Sequence, residues 1–512
     1  MRPARPLLLA AFTACLLSTV AAQAPAQAQT PPQAPQTPPA PTAEQAKAAD
    51  SLRRSLAAHG SDRKEGTVLS VRYAGEARNG AQSLAVMPPF EAYPAEVRIV
   101  IDRPGRTLHF TRGAWISGDF DFHLTTVLRD GKGFTLDRGG RTWRDTPNEP
   151  SDLERFLPGR LIERVLADPS RITDLEDEAG SGIDRFAHTG PDGRRRTVAV
   201  DEATRRLAWQ QIDLPAFASQ YGNDRVRVAY GRYREVAGVQ VPEHVTVSNI
   251  SDAHGPVDSV FRLTQAAAAS DLTPADLELP KDARADDPSF RQPFTVESLG
   301  ERVHLVMNPS EGPGPWFHNV MIVEFADHLL VAEASVGSAA TEKVLAKAAE
   351  IAPGKPVRFL VQSHHHGDHI GGIRPYVAEG ARIIAPTGVT PVIEALAKVT
   401  PRGEPDRLAK APKSPVVEEL AGERVLKDQA NEVIIFNLGN DPHAGGLLVT
   451  YLPKQRVLFQ SDLVNAGAYP NNSSTRNFVR WLKEKGLQVD VIAGSHGRIL
   501  RKAEVEALLA GS

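Results

Sequence analysis

The sequence predicts an α+β protein in two parts. An antiparallel β-rich stretch covers residues 61–279, and a segment of alternating strands and helices covers 294–512. Three observations support this division. Residues 66–279 keep a period-two pattern of apolar side chains, broken by Gly, Pro and Asp-Gly turn signals. A charged, Pro-bounded stretch, 280–293, separates them from the second part and reads as a linker. Beyond it, apolar runs of strand length alternate with helical patterns, and several of these runs end in His or Asp.

At 512 residues the chain is long enough for two or three full cores. Residues 1–28 read as a secretory signal. Arg2 and Arg5 form the basic start, residues 7–22 the apolar run, and small-residue cleavage sites come after it. The run is short for a membrane span and leads into Pro/Gln-rich sequence, so no integral span is expected after cleavage. The mature protein is then secreted, with the periplasm as the expected compartment. Cys15, the one cysteine, lies in this leader, which leaves no disulfide and no thiolate ligand or nucleophile. Losing Arg2 and Arg5 takes the formal net charge from -3 to -5, so no general basic field marks nucleic acid as a partner. Residues 29–60 read as a Pro/Ala/Gln-rich tether followed by a short helix over 43–59.

Within the β-rich part, Val97, Ile99 and Ile101 alternate, and Pro104-Gly105 turns the chain to Leu108 and Phe110. Asp130-Gly131, Gly139-Gly140 and Pro191-Asp192-Gly193 are further hairpin signals. Ser151 and Glu154 form a capping box for a helix reaching about Ala167, with a break at Pro158. Val226 and Val228 alternate, Gly238 turns the chain, and Val245 and Val247 continue it. The result is a curved antiparallel sheet with one or two helices. In residues 230–247, YGRYREVAGVQVPEHVTV, it resembles the half-barrel of periplasmic lipoprotein carriers. That resemblance implies a lipid or hydrophobic ligand, and a plain β-sandwich packed on the second part is the competing expectation. Arg194, Arg195 and Arg196 read as a solvated edge.

In the second part, strands are expected over 303–307, 320–325, 329–331, 357–361, 382–385, 433–436, 447–451 and 457–459. Helices are expected over 339–351, 391–399, 475–485 and 502–509, with a surface loop at 400–415. The most informative stretch is 359–372, FLVQSHHHGDHIGG. An apolar run ends there in four side chains able to bind a metal: His364, His366, Asp368 and His369. His364 and His366 are two apart, so they point the same way on an extended chain, whereas His365 points away. By itself the triplet also fits a polar loop. Three more candidates lie after apolar or Gly-rich runs downstream: His443 in NDPHAGG, Asp462 in VLFQSDL and His496 in VIAGSHG.

This ordered set resembles that of the metallo-β-lactamase superfamily, over roughly residues 294–512. The resemblance implies an αβ/βα sandwich with two divalent metal ions at the strand ends. Zinc is the expected metal, and iron or manganese is compatible. It further implies that His364, His366 and His443 hold one ion, Asp368, His369 and His496 the other, and that Asp462 bridges them. The implied activity is hydrolysis of an ester, lactone, thioester or amide in a small-molecule substrate by a metal-bridging hydroxide, with Asp368 as the catalytic residue that orients it and takes its proton. Asp at 462 resembles glyoxalase II, lactonases and phosphodiesterases, whereas many true β-lactamases have Cys or Ser near this point. Where many members carry Asp, this chain has Glu333, which would either support the metal loop with a longer reach or be a plain acidic residue at a strand end. Trp316, Phe317, His318 and Asn319 are candidates to border the cleft, and Asn465, Tyr469, Asn471 and Asn472 to donate hydrogen bonds to an oxyanion; ordinary loop packing is the competing and favoured reading for each. The alternative function is a periplasmic binding protein for a hydrophobic ligand with an accessory metal domain.

Overall fold

The alternating residues of the first part fold as one 13-stranded antiparallel sheet. Val97, Ile99 and Ile101 are buried on strand Tyr93–Asp102, which pairs with Val68–Ala77 on one side and Thr107–Ile116 on the other. Val68–Ala77 also pairs with Gly255–Ala267, so the first and last strands of this part meet in mid-sheet. The far edges are Trp143–Asp145 and Ile172–Leu175. The computed structural model describes residues 40–103, 107–116, 120–129, 132–136, 143–145, 153–175, 180–190, 193–214, 219–269, 293–310, 318–464 and 473–511. The leader, most of the tether and of the 280–293 linker, the turn pairs Pro104-Gly105, Asp130-Gly131, Gly139-Gly140 and Pro191-Asp192, and Ser151 lie outside those residues.

Helices cover the apolar face of this sheet. Helix Ala43–His59 starts at a Thr42–Gln45 capping box and packs through Ala48, Ala49 and Leu52 against Leu161, Ile162 and Val165 of helix Pro158–Leu166. Pro158 separates that helix from the turn Leu153–Phe156, because its ring cannot continue a helix from the residues before it. Phe156 sits between Tyr73 and Phe261 of the central strands, with ring centroids 5.1 and 5.3 Å away. No helix among the described residues is long and apolar enough to cross a membrane.

Two expectations are corrected here. Strand Arg195–Asp201 is internal, paired on both sides, and Arg196 is buried, so these arginines are not a solvated sheet edge. Residues 400–415 are not a plain surface loop. Helix Arg407–Lys410 buries Leu408, and the Arg374 guanidinium grips Asp406 at 2.6 and 2.9 Å. The Asn223 amide donates to the Thr400 carbonyl at 2.8 Å, tying this segment to the β-rich part.

The second part is a four-layer αβ/βα sandwich. One sheet runs Thr295–Gly300, Val303–Met307, Val320–Glu324, Leu329–Ala332, Val357–Val361, Arg382–Pro386 and Val416–Leu420, with its last four strands parallel. The other runs Glu423–Lys427, Glu432–Asn437, Leu448–Leu452, Val457–Gln460 and Val491–Gly494, with the last pair parallel. Leu305, Val361 and Ile384 of the first meet Val433, Leu448 and Phe459 of the second in the central core. Helices Ser338–Ile351, Ile373–Glu379 and Thr390–Lys398 cover one outer face, and Ser473–Lys485 and Lys502–Ala510 the other. Parallel strands from both sheets thus end on the same side of the core, where loops can bring polar groups together.

Burial in the first part gives its stability a pH dependence. The His59 ring is buried and accepts a hydrogen bond from the Leu207 amide at 3.0 Å, so it must be neutral; burial, aided by Arg206, lowers its pKa from 6.5 to about 4. The unfolded chain takes up that proton below pH 6.5 and the folded chain does not. The stability this neutral ring contributes is therefore full above pH 6.5 and is lost as the pH falls toward 4, by up to about 3 kcal/mol. We expect His59→Gln, which keeps an acceptor but cannot titrate, to show a smaller drop in urea stability between pH 7 and 4.5 than wild type. Equal drops would exclude this role.

Candidate metal centre

Seven side chains from four loops converge at the strand ends. His364 and His366 come after Val357–Val361, Asp462 after Val457–Gln460 and His496 after Val491–Gly494, and His443 precedes Leu448–Leu452. Asp368 and His369 lie on the turn Gly367–Ile370. Gly372 allows that turn to seat tightly, since a Cβ there would lie 2.0 Å from the Ala334 carbonyl oxygen.

The donor atoms form two groups joined at Asp462. Its Oδ2 lies 2.8 Å from His443 Nε2, 3.7 Å from His364 Nε2 and 3.1 Å from His369 Nε2, and its Oδ1 lies 3.1 Å from His496 Nε2. Asp368 Oδ2 is 3.4 Å from both His369 Nε2 and His496 Nε2. Donor atoms of His364, His366, His443 and Asp462 lie within 4.8 Å of one another, as do those of His369, Asp462 and His496. A third such group joins His318 to Asp368 and His496.

Hydrogen bonds set which nitrogen each ring presents. Glu333 is fully buried and accepts from the Ser363 hydroxyl at 2.7 Å, and Ser363 Oγ in turn faces His364 Nδ1 at 2.9 Å. Glu333 Oε2 also lies 3.2 Å from His369 Nδ1. Both rings therefore carry a proton on Nδ1 and turn Nε2 into the site. His366 is reversed: its Nε2 donates to the Ser83 carbonyl at 3.0 Å, and its buried Nδ1 has no partner. The set suits a divalent cation. Imidazole nitrogens face each other at 3.3 Å across His364 and His443 and at 3.2 Å across His369 and His496, and lone pairs repel at such distances unless a cation or proton lies between them.

The electrostatics divide the rings. Burial and the neighbouring imidazoles of His369, His366 and His443 hold His364 well below the ordinary value, and burial does the same to His366. Burial also opposes protonation of His369 and His496, but the Asp462 and Asp368 carboxylates outweigh it and hold His369 well up and His496 at about 9. Both carboxylates are held well below the usual range, against their burial, chiefly by His369.

Some contacts were not readable from the motif. Gln82 donates to Asp368 Oδ1 at 2.9 Å, and the Tyr221 hydroxyl donates to the His365 carbonyl; both residues belong to the β-rich part. His365 is fully buried, with Nε2 2.9 Å from the Ser83 carbonyl, rather than turned to solvent. His318 is buried 3.4 Å from Asp368 Oδ2. Asn319 does not border a cleft: its side-chain amide donates to the Gly494 and Gly497 carbonyls at 3.0 and 3.1 Å and holds the His496 loop. Trp316, Phe317, Asn465, Tyr469, Asn471 and Asn472 lie outside the described residues.

Residues 313–496 match the family described as the metallo-beta-lactamase superfamily. Similar solved structures include a metallo-beta-lactamase from Pontibacter korlensis, at 18% identity and TM-score 0.33, covering 42% of this chain and 97% of that one. They also include the metallo-beta-lactamase FIM-1 from Pseudomonas aeruginosa in a mono-zinc form, at 20% identity and TM-score 0.32, covering 43% and 95%. A stereoselective inverting sec-alkylsulfatase from a Pseudomonas species matches at 19% identity and TM-score 0.31, covering 42% and 40%. No curated protein sequence matches the chain.

Glu333 gives the clearest stability test of the site. Glu333→Ala leaves the hydroxyls of Ser363 and Ser495 and the His369 ring without their shared acceptor. We expect a loss of about 3–5 kcal/mol in urea unfolding of the metal-free protein. Glu333→Asp, with its shorter reach, should fall between that variant and wild type. A loss below about 1 kcal/mol for the alanine variant would remove Glu333 from this role.

Proposed function

We propose that this chain, whose residues 313–496 are a metallo-hydrolase domain of the metallo-β-lactamase superfamily, is a binuclear enzyme that hydrolyses an ester, lactone, thioester or amide bond in a small molecule. The observation that carries the proposal is the Asp462 carboxylate, with one oxygen toward His364, His443 and His369 and the other toward His496. In this reading His364 Nε2, His366 Nδ1 and His443 Nε2 would hold one ion, Asp368, His369 and His496 the second, and Asp462 would serve both. Two divalent ions, zinc by the imidazole-rich donor set, would supply Lewis acidity and lower the pKa of a bound water.

The chain's own residues do the rest. Asp368 is the most open of the seven, with a side chain 19% exposed against 8% for Asp462 and 0% for His369, so substrate and solvent meet the set at Asp368. Its carboxylate stays ionised and can take a proton at Oδ2 from a water at the site. His318, 3.4 Å from that oxygen, limits how it can turn. The buried rings of His364 and His366 exclude bulk water from the inner side, which strengthens every charge interaction there. The leader sequence supports secretion, with the periplasm as the proposed compartment.

Metal analysis of the secreted protein tests the proposal. We expect two equivalents of zinc in wild type, about one in His364→Ala, and less than one in Asp462→Ala, which touches both groups. Hydrolysis across an ester, lactone and thioester panel should fall at least about 100-fold in both variants. Full metal load and activity in both would sink the assignment.

A further inference from the structure

The connection between strands Val68–Ala77 and Tyr93–Asp102 does not turn tightly, as a hairpin in a sheet commonly does. Residues 78–92 instead leave the β-rich sheet and reach the metal loop. The segment is firmly built. Asn79 caps the short turn Gly80–Gln82 by accepting from the Ala81 amide at 3.1 Å. The Glu91 carboxylate closes the segment on itself, taking the Ser83 hydroxyl on one oxygen and the Ala85 amide, at 3.2 Å, on the other. Phe90 is buried against the His254 ring, 5.1 Å between centroids. On the far side, Ala81, Val86 and Met87 pack on the core of the sandwich, and the Leu84 carbonyl accepts from the Gly445 amide at 3.2 Å.

From this anchorage two groups reach candidate ligands. Gln82 Nε2 donates to Asp368 Oδ1 at 2.9 Å and leaves Oδ2 for the His369 and His496 side. The Ser83 carbonyl lies 3.0 Å from His366 Nε2, so that nitrogen carries the proton and the partnerless Nδ1 faces the site. The same carbonyl receives His365 Nε2 at 2.9 Å, using its second lone pair.

We propose that residues 78–92 are a strap that completes the metal centre, with Gln82 positioning the Asp368 carboxylate and the Ser83 carbonyl holding His366 with Nδ1 aimed inward. The inference rests on the binuclear metal reading and assigns part of the site to the β-rich part of the chain. Gln82 and Ser83 act through the ligands they orient, as outer partners of metal ligands commonly do. Glu91 acts one step further out, by holding the strap in shape.

The test uses full-length protein, with Zn²⁺ in competition against a chelating indicator and Co²⁺ as a spectroscopic substitute. Gln82→Ala and Glu91→Ala are each expected to weaken zinc binding about 10–100-fold and to shift the Co²⁺ visible bands. Gln82→Ala should affect mainly the weaker equivalent. Melting of the metal-free Gln82→Ala protein should stay near wild type, which separates positioning from folding. Wild-type protein that binds two zinc ions while both variants match its affinities and Co²⁺ spectrum would overturn the strap and leave the metal reading standing. Wild-type protein that binds no zinc would overturn both.

Discussion

The centre depends on one buried carboxylate. Glu333 sits at the end of Leu329–Ala332 with no exposed surface and a backbone φ of 92°. A lone carboxylate in such a place would be costly by several kcal/mol, so its surroundings must satisfy it. They do so from three other loops. Gln362 and Ser363 reach it from one strand end, Ser461 from the next, Ser495 from a third, and the His369 ring from the metal turn. These loops come from both sheets of the sandwich, so Glu333 ties together the two halves whose strand ends carry the ligands. The left-handed backbone angle is uncommon for a residue with a Cβ, and it is held here where many partners fix the side chain.

That anchoring explains how so many imidazoles can share one low-dielectric pocket. Without cations the group settles by holding some rings neutral and sharing protons at the rest. Burial favours the neutral form of His364 and His366, and the two aspartates favour a proton at His369 and His496. A set of neutral rings on one side and proton-sharing rings around carboxylates on the other is ready to exchange protons for metal, because ligands must lose protons to bind. Asp462 touches rings of both kinds.

The seven-residue set was legible in the sequence because its members lie close to apolar runs that form strands, and because the strand–loop alternation of an αβ/βα sandwich brings such ends to one side. Glu333 was legible by its place after LLVA. Other features carried no such signal. Strand Val416–Leu420 is only partly buried, Glu423–Lys427 is largely exposed, and both are rich in charge, so neither alternation nor an apolar run marked them. Arg196 read as solvated because a triple arginine beside a turn looks polar, whereas its strand is covered on both flanks. Gln82 lies 286 residues from Asp368, in a loop with no periodicity, and only the fold brings the two together.

The two parts of the chain are consequently hard to treat as separable. The β-rich part meets the metal loop at two places besides the strap. Tyr221 donates to the His365 carbonyl, and Gly367 is glycine where a Cβ would lie 2.3 Å from Gln220 Oε1 and 2.8 Å from the Tyr221 ring. Tyr221 packs on His254 with the rings tilted, 4.1 Å between centroids, and His254 packs on Phe90 of the strap. Strap, tyrosine and histidine thus form one continuous contact from the 13-stranded sheet to the ligands. A closely packed interior transmits small displacements instead of absorbing them, and a shift of about 1 Å is enough to spoil a reacting geometry. The first part of the chain therefore fixes the positions of the Asp368 and His366 side chains.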